Sequence, residues 1–155
     1  AGEWPIQGEF DLILCFEVIE HMFRDPMRLF FEVNRLLRPG GKMVLTTPNV
    51  ASFKALRAIL THYAPFCYVK FSPEAPLYTT HRTEFTVRDI GKFASAAGFD
   101  FNIETFDSYS DLGSPLLKPI LDECCLDVRL RGDTIYAVLT KNGAPVERFP
   151  AWFYV

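Results

Sequence analysis

The chain lacks the features that mark membrane, secreted and nucleic-acid-binding proteins. No apolar run reaches the roughly 18 residues that a membrane-spanning helix needs, and the first residues, AGEWPIQGEFD, have neither the basic nor the apolar region of a signal peptide. The 16 Lys and Arg residues are scattered among 19 Asp and Glu residues, so the pattern predicts no basic face for phosphates. We therefore expect a cytoplasmic protein with no membrane contact, for which nucleic acid is a disfavoured partner.

Cysteine and glycine are also too sparse to define a site. The four cysteines have neither the paired spacing of zinc ligands nor the density of a disulfide scaffold, and we interpret them as reduced thiols: Cys15, Cys67, Cys124 and Cys125. No G-x-G motif occurs, and the adjacent pair Gly40-Gly41 follows a helix-like segment. A glycine-rich loop that lets backbone approach a nucleotide cofactor is therefore not encoded in these residues.

The residues that are present predict a strand, a helix and a second strand in succession. Hydrophobic residues make up 49% of the 155 residues, enough for a single domain over 1–155. The continuous apolar run FDLILCF, 10–16, is typical of a strand covered on both faces. Asp25-Pro26 predicts a helix start, Pro39-Gly40-Gly41 predicts a turn that ends this helix, and KMVLTT, 42–47, predicts the second strand. This order is a βαβ unit.

The later residues extend an α/β pattern. Helices are predicted over 51–60, over 116–126, and between an N-cap at Thr86 and a C-cap at Gly98. Strands are predicted over 101–106 and 133–141. The aromatic and proline-rich segment 61–80 is predicted to be a lid-like insertion. The apolar tail, 149–155, is expected to dock on another surface. In open sheets of this class, ligands bind beyond the carboxyl ends of the strands. The candidate site therefore follows the first strand, in the stretch FEVIEH.

Two stretches of the sequence resemble class I S-adenosylmethionine-dependent methyltransferases. FDLILCFEVIEHMFRDPMRLFFEVNRLLRPGGKMVLTTPN resembles the family without a gap, and HRTEFTVRDIGKFASAAGF is similar to a later part of it. The resemblance implies that the four strands are the fourth to seventh of a seven-stranded Rossmann-like sheet, with helices on both faces and the last strand antiparallel. The family's glycine-rich loop lies upstream of the matched part, so we expect this chain to be a C-terminal fragment.

The resemblance also implies an activity and a set of site residues. The expected reaction moves a methyl group from S-adenosylmethionine to an oxygen or nitrogen acceptor, a small molecule or glycan rather than nucleic acid. Cys15, Phe16 and Glu17 would lie beside the cofactor, and His21 would be the candidate base with Glu20 as its catalytic neighbour. The alternative is a non-catalytic binding or assembly module with a degenerate methyltransferase fold.

A divalent metal is a further implication of the resemblance. Part of the family, including small-RNA 3′-terminal 2′-O-methyltransferases, uses a similar E-x-x-E-H motif and a later histidine as metal ligands. Here these positions are Glu17, Glu20, His21 and His81, and such ligands suit Mg²⁺, Mn²⁺ or Zn²⁺. Metal-free interpretations stay open: Glu17 as a cofactor or amide contact, Glu20 as a solvated acid, His21 as a general base without metal, and His81 as an anchor for 61–80.

The first strand raises a question about partners. In the family the corresponding strand is central and pairs with a strand that lies upstream of the matched part. Strand 10–16 would then be an apolar sheet edge, which invites pairing with another chain. We expect this edge to be covered by a homodimer contact, by strand exchange or by the chain's own tail.

Overall fold

The computed structural model describes residues 4–22, 25–65, 81–107, 119, 122–123 and 127–154. Its strands are β1 (Phe10–Phe16), β2 (Leu37–Pro48), β3 (Phe99–Phe106) and β4 (Thr134–Lys141), and its helices are α1 (Pro26–Leu36), α2 (Phe53–Leu60) and α3 (Val87–Ala96). Short 3₁₀ turns lie at Ile19–His21 and Val128–Leu130. Most of the predicted helix over 116–126 and most of the predicted insertion over 61–80 lie outside the described residues.

The strands form one mixed sheet in the order β1-β2-β4-β3. Strands β1 and β2 are parallel, as expected for strands joined by a crossover helix. Strand β4 is antiparallel to both β2 and β3 and lies between them. The predicted α/β class with an antiparallel last strand is therefore confirmed.

The predicted turn at Pro39-Gly40-Gly41 follows the end of α1 at Leu36, but its residues lie within β2, which begins at Leu37 and not at the predicted residue 42. Phe10 pairs with Leu37, whereas Leu12 pairs with Lys42, so extra residues of β2 are absorbed as a bulge opposite the start of β1. Gly40 has a φ of 76°. At Gly41 a Cβ atom would lie 2.9 Å from the Arg38 carbonyl oxygen and 3.1 Å from that of Phe10, so the bulge leaves little room for a side chain here.

Helices α1 and α3 cover one face of the sheet. The hydrophobic core contains residues of α1 and α3 and the inward residues of β1, β2 and β4, among them Phe30, Val33, Ile90, Phe93, Met43, Leu45, Ile135 and Leu139. Side chains of β1 that point the other way are exposed, at 53% for Leu12, 57% for Leu14 and 52% for Phe16. Strand β1 is thus half in the core and half on an apolar surface.

Polar caps fix where the helices begin. The Asp25 carboxylate accepts from the Arg28 amide and caps α1. Thr86 and Asp89 form a reciprocal capping box at α3, which confirms the predicted start. Ser52 caps α2, so this helix starts at Phe53 and not at the predicted residue 51. None of the described residues lies in a helix long and apolar enough to cross a membrane.

The described tail residues dock on the helical side of the sheet, as predicted. The Phe153 ring packs at 4.9 Å from that of Phe93 and at 6.3 Å from that of Phe85. The Tyr154 hydroxyl donates to Asp25 Oδ1 at 2.6 Å and accepts from the Met27 amide at 3.1 Å. The tail therefore packs beside α1 and α3, and it does not run along β1 as a cover for that strand.

An ion pair holds the same junction. The Arg148 guanidinium donates to both carboxylate oxygens of Asp25. Partial burial raises the pKa of Asp25, but the hydrogen bonds from Arg148 and Tyr154 outweigh this effect and hold the pKa below its usual value of 3.8. The N-cap of α1, which lies four residues beyond His21, is in this way tied to the C-terminal part of the chain.

Candidate functional site

The chain changes direction sharply where β1 ends. Glu17 has a φ of 52°, in the left-handed region, and its amide donates to the Thr46 carbonyl of β2 at 3.0 Å. The 3₁₀ turn Ile19–His21 follows at once. This geometry buries Ile19 and Glu20 and leaves His21 half-buried at the surface.

Glu20 is a fully buried acid with one unpartnered oxygen. Its side chain is 0% exposed, and Oε2 accepts from the Thr47 hydroxyl at 2.8 Å, whereas the buried Oε1 has no hydrogen-bond partner. Burial has the largest effect on the pKa of Glu20 and raises it, and the negative charge of Glu17 raises this pKa further. Hydrogen bonds from the backbone and from Thr47 act in the opposite direction and lower the pKa. A buried oxygen without a partner is costly, so this one marks a place where a cation or proton donor would be stabilised.

Two histidines lie close to the Glu20 carboxylate. His21 Nε2 lies 3.9 Å from Glu20 Oε1, and the rings of His21 and His81 meet edge to face with centroids 4.9 Å apart. One potential ligand atom from each of the three residues lies within 4.8 Å of the other two. We call this group the Glu20–His21–His81 cluster.

Backbone contacts bring His81 to the cluster from a distant part of the sequence. The Arg82 amide donates to the Glu20 carbonyl at 2.8 Å, which ties the segment before α3 to the 3₁₀ turn. Phe85, further along this segment, forms an isolated parallel bridge with Asn49 just beyond β2. The carboxyl ends of β1 and β2 and the approach to α3 thus meet at one place, as expected for an open α/β sheet.

The structure brings some of the predicted site residues together and leaves others apart. Three of the four predicted metal ligands form the cluster, whereas the exposed Glu17 is not part of it. Cys15 points into the core with 5% exposure, and burial, with the nearby Glu20 charge, raises its thiol pKa to about 12. Phe16 is exposed at the strand end. The assignment of Cys15, Phe16 and Glu17 to a cofactor stays a prediction.

The sequence analysis did not identify two polar residues of the site. Thr47 is fully buried and orients the Glu20 carboxylate. Glu84, with a side chain only 2% exposed, places Oε1 3.2 Å from His81 Nδ1. Thr47 could have been found as the last residue of a strand that ends beside the candidate site, whereas nothing in the sequence pairs Glu84 with His81 rather than with a nearby arginine.

Comparisons with known proteins identify the family. A family model described as a methyltransferase domain matches residues 1–104. The chain therefore belongs to the methyltransferase-domain family, and its resemblance to class I S-adenosylmethionine-dependent methyltransferases is confirmed.

The similar curated proteins are longer than this chain. An S-adenosylmethionine-dependent methyltransferase of Mycolicibacterium smegmatis is 29% identical over 100 residues, which are 64% of this chain and 32% of that protein. A ubiquinone biosynthesis O-methyltransferase of Pseudomonas paraeruginosa is 41% identical over 49 residues, 32% of this chain and 20% of that protein. The chain spans a third or less of the length of these relatives.

Solved structures show the same fold. An S-adenosylmethionine-dependent methyltransferase from Thermotoga maritima has a TM-score of 0.55 at 20% identity, over 90% of this chain and 59% of that one. The small RNA methyltransferase HEN1 has a TM-score of 0.52 at 18% identity, over 89% of this chain and 15% of that one. At these identities the likeness establishes the Rossmann-like sheet and nothing finer.

Proposed function

We propose that this protein transfers a methyl group from S-adenosylmethionine to an oxygen or nitrogen atom of a small-molecule or glycan-type acceptor. One observation carries the proposal: the unpartnered Oε1 of buried Glu20 lies beside two imidazoles at the carboxyl ends of β1 and β2. In a methyltransferase-domain chain, a group that can hold and move a proton at this strand end suits the acceptor side of the reaction.

The residues at the end of β1 fit part of a cofactor site. Phe16 offers an exposed aromatic ring, and Glu17 offers an exposed carboxylate on a backbone turned outward. Cys15 can contribute only its backbone, because its thiol is in the core. These residues would hold one side of S-adenosylmethionine, which supplies an electrophilic sulfonium methyl group when bound.

The Glu20–His21–His81 cluster also fits a divalent cation. One carboxylate oxygen and two imidazole nitrogens are a donor set that favours Mn²⁺ or Zn²⁺ over Mg²⁺, the candidate from the sequence. The buried unpartnered Oε1 supports this fit, since a cation would give that oxygen the partner it lacks in the protein. A metal held here would lower the pKa of an acceptor hydroxyl.

Without a metal in the cluster, His21 is the residue best placed to accept the acceptor proton. Its side chain is 29% exposed, so it can reach both an incoming acceptor and the buried Glu20. With S-adenosylmethionine bound, its methyl group would pass from sulfur to the acceptor oxygen or nitrogen, and His21 would take the proton that the acceptor loses. The products are the methylated acceptor and S-adenosylhomocysteine, and Glu20 stabilises the imidazolium that results.

Calorimetric titration of the chain with S-adenosylhomocysteine, alone and with Mn²⁺ or Mg²⁺, tests the proposal. We expect binding, and we expect His21→Asn to abolish transfer of a labelled methyl group from S-adenosylmethionine to phenolic, glycan or amine acceptors. His62→Asn is the matched control, because His62 is exposed beyond α2. A folded chain that gives no heat and no transfer would refute the proposal in favour of the binding or assembly module.

A further inference from the structure

Glu84 is a second buried acid near the cluster, and its carboxylate contacts His81. Its Oε1 atom lies 3.2 Å from His81 Nδ1, and the two side chains are 2% and 13% exposed. A buried carboxylate is most stable when a polar hydrogen is directed at it. This contact therefore favours the form of His81 that carries a proton on Nδ1.

The backbone around Glu84 is fixed at both ends. On one side, the Arg82 amide donates to the Glu20 carbonyl at 2.8 Å. On the other, the Val50 amide donates to the carbonyl of fully buried Phe85 at 3.1 Å. Because the segment between these anchors has little freedom, the Glu84 carboxylate can impose an orientation on the neighbouring imidazole.

We propose that Glu84 is a positioning residue that sets the tautomer and ring orientation of His81. With the proton on Nδ1, the Nε2 lone pair is the one that His81 offers to the cluster with Glu20 and His21. Carboxylates that accept from the distal nitrogen of a ligating histidine act in this way in metal sites, and they raise the basicity of the ligating nitrogen. The inference rests on the proposed function and assigns a role to a residue outside the cluster.

Glu84→Gln tests the inference in the metal-free protein. The amide side chain has nearly the same volume but can donate to Nδ1, which would move the His81 proton to Nε2. We expect long-range ¹⁵N–¹H spectra of the imidazoles to show a protonated Nδ1 in the wild type and a mixed or Nε2-protonated form in the variant. Mn²⁺ affinity should fall by about 10- to 100-fold. Glu104→Gln, an exposed acid on β3, is the matched control.

The outcomes separate this inference from the proposed function. An unchanged His81 tautomer in Glu84→Gln would overturn the inference, whether the urea midpoint and Mn²⁺ affinity of the variant are retained or reduced. A changed tautomer in a chain that binds neither Mn²⁺ nor S-adenosylhomocysteine would support the role of Glu84 and refute the proposed function. A changed tautomer with weaker Mn²⁺ binding at an unaltered urea midpoint would support both.

Discussion

Replacing Glu20 by Gln should stabilise the chain at neutral pH, although Glu20 is central to the proposed site. Gln can still accept from the Thr47 hydroxyl, and its neutral amide replaces the buried carboxylate oxygen that has no partner. The variant therefore keeps the shape of the site and removes the cost of a buried charge. A substitution that removes a site residue and yet stabilises the fold is expected where a destabilising residue is retained for function.

The size of the gain depends on pH in a defined direction. Burial raises the pKa of Glu20 above its ordinary value of 4.5, so the folded chain holds this proton to higher pH than the unfolded chain does. Wild-type stability should therefore fall as pH rises from 4.5 through the raised pKa. The advantage of Glu20→Gln should be near zero below that window and reach about 1–3 kcal/mol above it, the cost of one buried unpaired polar group.

Urea and thermal unfolding between pH 4 and 8 would measure this difference. A gain of 1 kcal/mol corresponds to roughly 2–4 °C in a chain of this size. Mn²⁺ should raise the wild-type midpoint and leave that of Glu20→Gln unchanged, since the cation would bind only the folded wild type. Equal destabilisation of Glu20→Gln at every pH would refute the reasoning, because it would mean that the carboxylate is paired in the folded chain.

Three other substitutions test separate parts of the structure. Glu17→Gly should raise the free energy of unfolding by about 1 kcal/mol, because glycine adopts the left-handed backbone of this position without strain. The variant should also bind S-adenosylhomocysteine more weakly. A lower stability of the variant would show that the backbone at Glu17 is not strained. Tyr154→Phe should lower the free energy of unfolding, measured in urea, by about 1–3 kcal/mol, because the hydrogen bond to Asp25 is lost. This loss should become smaller as pH falls through the lowered pKa of Asp25. An equal loss at low pH would contradict the dependence of this hydrogen bond on the Asp25 charge. We propose that the β1 edge pairs two copies, so Leu14→Lys should give a monomer by light scattering; a wild-type monomer would rule this out.

The local elements could largely be predicted from the sequence. β1 runs over the predicted residues because its apolar run is continuous, and α3 starts after Thr86 because the capping box is a local interaction. The start of β2 could not be predicted in this way. Pro39-Gly40-Gly41 has the local signature of a turn, and only pairing of Leu37 with the distant Phe10 makes it part of a strand.

The candidate site was also predicted only in part, because local motifs do not encode contacts between distant residues. The motif placed Glu20 and His21 together, and the resemblance added His81, which the structure brings to them across a long stretch of chain. The orientation of each side chain depended on backbone geometry that the motif does not encode. Glu17, which has a positive φ, stays outside the cluster, and Glu84 meets His81 only once the segment before α3 is anchored.

The position of β4 affects how the sheet can be assembled during synthesis. Within the described residues, strand β3 pairs with β4 alone, and β4 is the last of these four strands to be synthesised, yet it lies between β2 and β3. A nascent chain can join β1 to β2 early, but β3 and the helix before it cannot join the sheet until residues 134–141 have been made. Any chain that stops short of β4 would lack a strand from the middle of this four-stranded sheet, so it would expose the inner edges of both β2 and β3.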